Sequence, residues 1–344
     1  MTTPLPFTES IVAKLKVCIT DYVVPPAIFE EEVLSDVADV LCLQQTGEQA
    51  LEGKIEEADA MLVFHTVRIS GDSILRLKRC RGIVRCGVGY DNVDLAEAGE
   101  RGIYVCNVPD YGVDEVADHA MALMLACARG LRFTEKRLPR TLAPWNIRVL
   151  QPLQRLAGAT FGIIGLGRIG TATALRAKAF RMRVVACDPY IPDGMDKALD
   201  VAMMSLDELM SVSDVVSVHT PLTEETFHIV GAPQLSRMKP HAVLINTARG
   251  RCVDVRALAD VLVAGRIGGA GIDVLPEEPP HANEPIIKLW QQEEPLVNLF
   301  LTPHTAFYSE NSLREMRVKA AQEVRRILLG ERPHNVVNKE FLRR

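Results

Sequence analysis

The sequence predicts an α/β protein built from two doubly wound parallel-sheet domains. Its 344 residues, 48% hydrophobic and 24% charged, exceed one typical core. Short β-branched runs alternate with amphipathic stretches along most of the chain. The alternation comes in two series, separated by the turn cluster NVPDYG at 107–112.

The first series contains the strand candidates KVCIT, DVLCL, AMLVF, GIVRC and IYVCNV, each followed by a helical pattern such as SILRLKRC. The turn cluster then opens onto VDEVADHAMALMLACARG, where Asp114 and Glu115 occupy the first helical turn. From Val116 to Ala128 this helix is apolar nearly all round, which predicts burial on every side, within its domain or against a second subunit. The second series runs through FGIIGLG, RVVACDPY, DVVSVHTP, AVLINTARG, GGAGIDVL and NLFLTPH. A final stretch, SENSLREMRVKAAQEVRRILLGE, reads as one amphipathic helix ending at Gly330 and returning to the first domain. The expected domains are therefore 1–106 with 310–344, and 107–309.

Composition narrows the function. A net charge of -5, with no basic block, argues against nucleic acid as a partner. The stretch MTTPLPFTESIVAKLK lacks the apolar run of a signal peptide, and no segment reaches eighteen apolar residues, so the protein is expected in the cytoplasm and off the membrane. Eight scattered cysteines form no Cys-x-x-Cys pair, which predicts reduced core thiols and no metal site.

Gly165-x-Gly167-x-x-Gly170 sits directly between an apolar strand and a helix, with Leu166, Arg168 and Ile169 at the intervening positions. Two glycines allow a tight turn and close approach to a pyrophosphate. The third lets helix and strand pack, and the helix start supplies amide donors. The next strand ends in Asp188, eighteen residues after Gly170, where a carboxylate receives ribose hydroxyls and repels a 2′-phosphate. This pattern predicts NAD rather than NADP.

Ligands of open parallel sheets sit beyond the carboxyl ends of the strands. Three consecutive strands here run out into Arg249, the Glu277/Glu278 pair and His304. Arginine offers a planar fork of donors for a carboxylate and a polarised carbonyl. A carboxylate orients an imidazole, and the imidazole then gives or takes a proton at an oxygen. Glu277 and Glu278 are equally good by composition. Beside a nicotinamide the set fits hydride transfer to the C2 carbonyl of a 2-oxo acid. His65 and His219 each follow an apolar strand and are expected to line a cleft, whereas His119, His228, His241, His281 and His334 read as structural or surface groups.

With GLGRIG, the strand ending in Asp188, HTPLTEET, NTARG, DVLPEEP and TPH in that order, the chain resembles the D-isomer-specific 2-hydroxyacid dehydrogenases over nearly its whole length. The resemblance implies a Rossmann NAD-binding domain inserted into a flavodoxin-like substrate domain, and a homodimer built on the helix starting near Val113. It makes Arg249, Glu278 and His304 the catalytic set, choosing Glu278 over Glu277. It adds His219, Thr220, Pro221, Thr226, Thr247, Ala248 and Asp273 as cofactor contacts, and Arg85, Gly87, Val88 and Gly89 as the substrate-carboxylate segment. FHT, CNVP, PHTAFYSE and VNKEF are similar to C-terminal-binding proteins, dehydrogenase-like corepressors. There Phe307 stands where a Trp lies three residues after the histidine, which implies a pocket for an apolar or thioether side chain. The stretch 277–296 is a longer loop than the family pattern leads one to expect. The competing function is a dimeric NAD(H)-sensing scaffold.

Overall fold

The computed structural model describes residues 14–143, 145–150, 153–292 and 297–342. Most of the stretch read for a signal peptide, residues 1–13, lies outside the described residues. The chain divides into two compact units, one of Met1–Tyr111 with Glu310–Arg344 and one of Gly112–Ser309. The first division falls five residues beyond the expected 107. Val108 N–H bonds to Gly87 O and the Asn107 side chain to Val88 O, which keeps this segment with the first unit.

The first unit contains β1 (Leu15–Ile19), α1 (Ile28–Leu34), β2 (Ala38–Cys42), β3 (Ala60–Val63), α2 (Gly71–Arg76), β4 (Gly82–Arg85), α3 (Leu95–Glu100) and β5 (Tyr104–Asn107). Its parallel sheet has the order β2-β1-β3-β4-β5, a doubly wound order that reverses between β1 and β3.

The second unit contains α4 (Val113–Ala128), α5 (Leu131–Arg137), β6 (Thr160–Ile164), α6 (Arg168–Ala179), β7 (Arg183–Cys187), α7 (Met195–Leu199), β8 (Ala202–Met203) and α8 (Leu206–Val212). It continues with β9 (Val215–Val218), α9 (Ala232–Arg237), β10 (Val243–Asn246), α10 (Val255–Val263), β11 (Gly269–Ile272), α11 (Pro285–Gln291) and β12 (Leu299–Leu301). All seven strands are parallel, in the order β12-β11-β10-β9-β6-β7-β8, and the order reverses between β6 and β9.

Residues alternate between two cores because side chains of a strand point to opposite faces. Val184, Ala186, Val215, Val243 and Ile245 join one apolar cluster with α4 and α6, while Val185, Val216, Val218, Leu244 and Ile272 join another with α8 and α10. Apolar burial on both faces is why these strands read as unbroken apolar runs.

The helix α12 (Glu310–Leu328) returns the chain to the first unit. Strand β4 begins with Gly82, where a β-carbon would stand 2.5 Å from Ile327 Cδ1, so the glycine admits the helix. Arg317 donates twice to the fully buried Glu30 carboxylate, at 2.7 and 2.6 Å, and stacks over Phe29. Breaking such a pair from one side costs about 3–5 kcal/mol.

Three sequence expectations are corrected. No α-helix follows β2, only a short turn at Glu48–Leu51, and α2 stops at Arg76 because Leu77 is extended. The stretch 277–296 carries α11, which Pro285 can open because a first-turn N–H needs no partner; residues 293–296 lie outside the described residues. The final helix ends at Leu328, and Gly330 takes φ +76° beyond it. Among the described residues no helix is long and apolar enough to cross a membrane.

Candidate active site

At the reversal point of the second sheet, three glycines have three different duties. Gly165 has φ +92°, and a β-carbon there would lie 2.9 Å from the His219 carbonyl, so the loops after β6 and β9 meet at this residue. A β-carbon on Gly167 would enter open space. One on Gly170 would stand 2.1 Å from Gly165 O, which only a glycine permits at the start of α6. The turn expected to cradle a pyrophosphate therefore has its tight bend, its open approach and its close packing.

Asp188 does more than end β7. Its Oδ2 accepts from Leu166 N–H at 2.7 Å and its Oδ1 from Tyr190 N–H at 2.8 Å, so the carboxylate also holds the glycine turn. In the loop after β9, the Thr226 hydroxyl donates to Pro221 O at 2.6 Å and accepts from Thr223 N–H at 2.7 Å. His219 bonds Ser217 Oγ at 2.8 Å, and burial pushes its imidazole down to about 4. It is neutral at pH 7. Thr247 is 8% exposed, yet its hydroxyl has no partner among the described residues. An orphaned buried hydroxyl at a strand end, with the open glycine turn, fits a ligand rich in hydroxyl and phosphate groups.

Strands β10, β11 and β12 are neighbours, so Arg249, Glu278 and His304 follow adjacent strands. His304 Nδ1 lies 2.6 Å from Glu278 Oε2, while Glu278 Oε1 accepts from Leu275 N–H at 2.8 Å. An ionised carboxylate only accepts, so Nδ1 carries the proton in this pair. Arg249 Nη1 donates to Ala248 O at 2.8 Å. Gly250 brings the β10 loop against the β11 loop, since a β-carbon there would sit 2.0 Å from the Leu275 carbonyl carbon. Phe307 stands edge-on to the His304 ring, with centroids 6.3 Å apart.

Asp273 is 2% exposed. Its carboxylate accepts from Thr302 Oγ1 (2.5 Å), Thr305 N–H (2.9 Å) and Ala306 N–H (3.0 Å). Those bonds use three of about four acceptor positions. His119, read from the sequence as structural, joins this group through Thr302 Oγ1 at 2.9 Å.

In the first unit, Arg85 is 7% exposed and donates to Cys86 O at 2.8 Å. Gly87 has φ +145°, and a β-carbon there would collide with Arg85 Nη1, so the two residues specify one turn. Val88 O accepts from the Asn107 side chain, and Gly89 follows it in the same loop. His65 is exposed, 6.0 Å from the Tyr22 ring. Sequence reading overlooked Asp21, a fully buried carboxylate that accepts from Phe64 N–H (3.0 Å) and Thr66 N–H (2.9 Å) and so holds the loop bearing His65.

The model of the NAD-binding domain of D-isomer specific 2-hydroxyacid dehydrogenases matches residues 121–306. The chain belongs to that family. It is 36% identical over 326 residues to D-3-phosphoglycerate dehydrogenase of Methanocaldococcus jannaschii, covering 94% of this chain and 59% of that relative. The chain thus spans about three fifths of that protein's length. It is 37% identical over 294 residues to glyoxylate reductase of Korarchaeum cryptofilum, covering 84% and 86% of the two chains. The crystal structure of D-lactate dehydrogenase from Aquifex aeolicus complexed with NAD and lactic acid matches with a TM-score of 0.82 at 30% identity, over 92% of this chain and 96% of that one. The glycine turn, Asp188, Thr247 and Asp273 all fall inside the family's NAD-binding domain.

A pH test follows from His219. Its folded value of about 4 lies below the usual 6.5, so between those values the unfolded chain binds the extra proton. Stability present above pH 6.5 is lost as pH falls towards 4, by about 2 kcal/mol for a partly exposed ring. Urea midpoints measured from pH 7 to pH 4 should fall less steeply in His219→Asn than in the native chain.

Proposed function

We propose that the protein is an NAD-linked D-2-hydroxyacid dehydrogenase acting on a small 2-oxo or 2-hydroxy acid. The observation that carries this reading is the 2.6 Å His304–Glu278 pair, standing on the same sheet edge as the glycine turn. When bound, NADH supplies the hydride and NAD accepts it in the reverse direction. Gly165, Leu166, Gly167, Arg168, Ile169 and Gly170 hold the pyrophosphate, Asp188 takes the ribose hydroxyls, and His219, Thr220, Pro221, Thr226, Thr247, Ala248 and Asp273 complete the cofactor contacts.

Arg249 holds the substrate carboxylate and polarises the carbonyl oxygen. His304 Nε2 gives that oxygen its proton in reduction and removes it in oxidation, while Glu278 keeps the imidazole oriented. In the first unit, the turn at Arg85, Gly87, Val88 and Gly89 is assigned backbone donors for a carboxylate and His65 a substrate contact; in the second, Phe307 is assigned to the substrate side chain. Phe307 favours an apolar or thioether substituent. Buried thiols, pushed up by burial to about 11 at Cys18 and about 12 at Cys80, suit a reducing compartment, and we assign the cytoplasm.

A homodimer is part of this reading. Leu142, Trp145 and Ile147 are 70%, 76% and 84% exposed, close in sequence to α4, whose Ala122 is also exposed. Such a run of large apolar groups is expected to be covered. Sedimentation at micromolar concentration should give twice the chain mass, and Trp145→Glu should shift the protein towards monomer.

NADH oxidation against glyoxylate, pyruvate, hydroxypyruvate, phenylpyruvate and 4-methylthio-2-oxobutanoate tests the activity. His304→Ala should lower kcat at least about a hundredfold with NADH affinity unchanged. Arg249→Ala should lose turnover and 2-oxo acid affinity together. Tight NADH binding with marginal turnover across the panel would instead favour the sensing scaffold.

Asp188→Asn removes the charge while leaving one acceptor for Leu166 N–H. The NADH over NADPH preference should narrow about tenfold, the equivalent of one unfavourable charge contact. An unchanged ratio in kcat/KM would contradict the role given to the carboxylate.

A further inference from the structure

We infer that the first turns of α4 form a clamp that sets the position of the catalytic histidine, with His119 and Thr302 as its positioning residues; this rests on the dehydrogenase reading. Three residues of α4 and its cap meet the segment that carries His304. Phe307 Cβ lies 3.5 Å from the position a β-carbon on Gly112 would take. Glu115 Oε1 accepts from Ser309 Oγ at 2.8 Å, and His119 Nε2 lies 2.9 Å from Thr302 Oγ1. Residues 112, 115 and 119 are spaced by three and four, so they occupy one face of the helix. That face spans the loop from its first residue, Thr302, to its last, Ser309.

The direction of the hydrogen bonds in this group follows from the donor inventory. A threonine hydroxyl has one proton, and the 2.5 Å bond to the acceptor-only Asp273 carboxylate uses it. His119 Nε2 must then be the donor to Thr302 Oγ1, which fixes the tautomer. The chain of donors runs from His119 through Thr302 into Asp273. The same carboxylate holds Thr305 N–H and Ala306 N–H, and the Asp273 carbonyl holds His304 N–H at 2.8 Å.

His304 needs this support because its backbone is left-handed, with φ +53°, a region costly for a residue with a β-carbon. The position of the clamp matters as well. The chain passes between the two units at Tyr111–Gly112 and again at Ser309–Glu310. The Ser309–Glu115 bond joins the two ends of the second unit, next to those crossings.

The test compares His119→Ala, His119→Gln and Thr302→Val in the full chain. Loss of the donor should lower kcat about tenfold, the weight of one hydrogen bond to a charge-linked group, with NADH Kd within about twofold of the native value. His119→Gln, which keeps an amide donor, should recover most of the loss, and the double variant should be no worse than either single one. Amide exchange at Thr305 and Ala306 should quicken about tenfold in His119→Ala and Thr302→Val, with the β-strands of the same unit unchanged. Native exchange at these two amides together with native kcat would overturn the clamp. A matching fall in NADH affinity, or faster exchange throughout the unit, would also overturn it and reduce His119 to a general structural group. Should the native chain reduce no 2-oxo acid, the functional reading fails alone, because the exchange rates still decide the clamp.

Discussion

Parallel pairing is the constraint on which the rest of the molecule depends. Within each sheet all described strands point the same way, so every loop that follows a strand leaves from one edge. Residues far apart in sequence are thereby delivered side by side: Arg249, Glu278 and His304 follow three adjacent strands, and Gly165 touches His219 where the strand order reverses. The cost is that these loops have backbone amides with no strand to pair them.

Carboxylates at strand ends meet that cost by one repeated device. Asp21, after β1, takes Phe64 and Thr66 amides from the loop after β3. Asp188, after β7, takes the Leu166 amide from the loop after β6. Asp273, after β11, takes Thr305 and Ala306 amides from the loop after β12. Each bridges to a neighbouring strand. The amino-terminal edges repeat it, with Asp59 accepting from Lys16 N–H and Asp214 from Thr160 N–H. Hydrogen bonds to charged acceptors are worth about 1.5–3 kcal/mol each, so a few of them fix the shape of loops that contribute little apolar burial.

This device marks the limit of what was legible in the sequence. Strands buried on both faces announce themselves as apolar runs, and the glycine turn has a fixed spacing, so the architecture and the Gly165–Asp188 region could be read in advance. The His304 partner could be narrowed to Glu277 or Glu278 from the residues, and the resemblance chose Glu278, the residue found 2.6 Å away. Edge strand β8 has two residues, too few for a period to register. Asp21 and His119 escaped for a different reason. Their partners lie 43 and 183 residues away, and only the register of the sheets brings them close. His119 lies in a stretch so apolar that a polar duty was hidden by its neighbours.

The backbone at His304 shows how these elements combine. A left-handed residue costs about 1–2 kcal/mol, and the ring it carries has to meet Glu278 Oε2 at hydrogen-bond distance. The Asp273 carbonyl holds the amide on one side, and its carboxylate holds the next two amides on the other. Two charge-assisted bonds outweigh the backbone cost, so the turn is set before the imidazole finds its partner. Glu278 is itself fixed by Leu275 N–H, in the loop that Gly250 keeps in contact with the Arg249 loop. Orientation therefore passes from the main chain to the imidazole, and the His304–Glu278 bond selects a tautomer on a ring whose direction has already been decided.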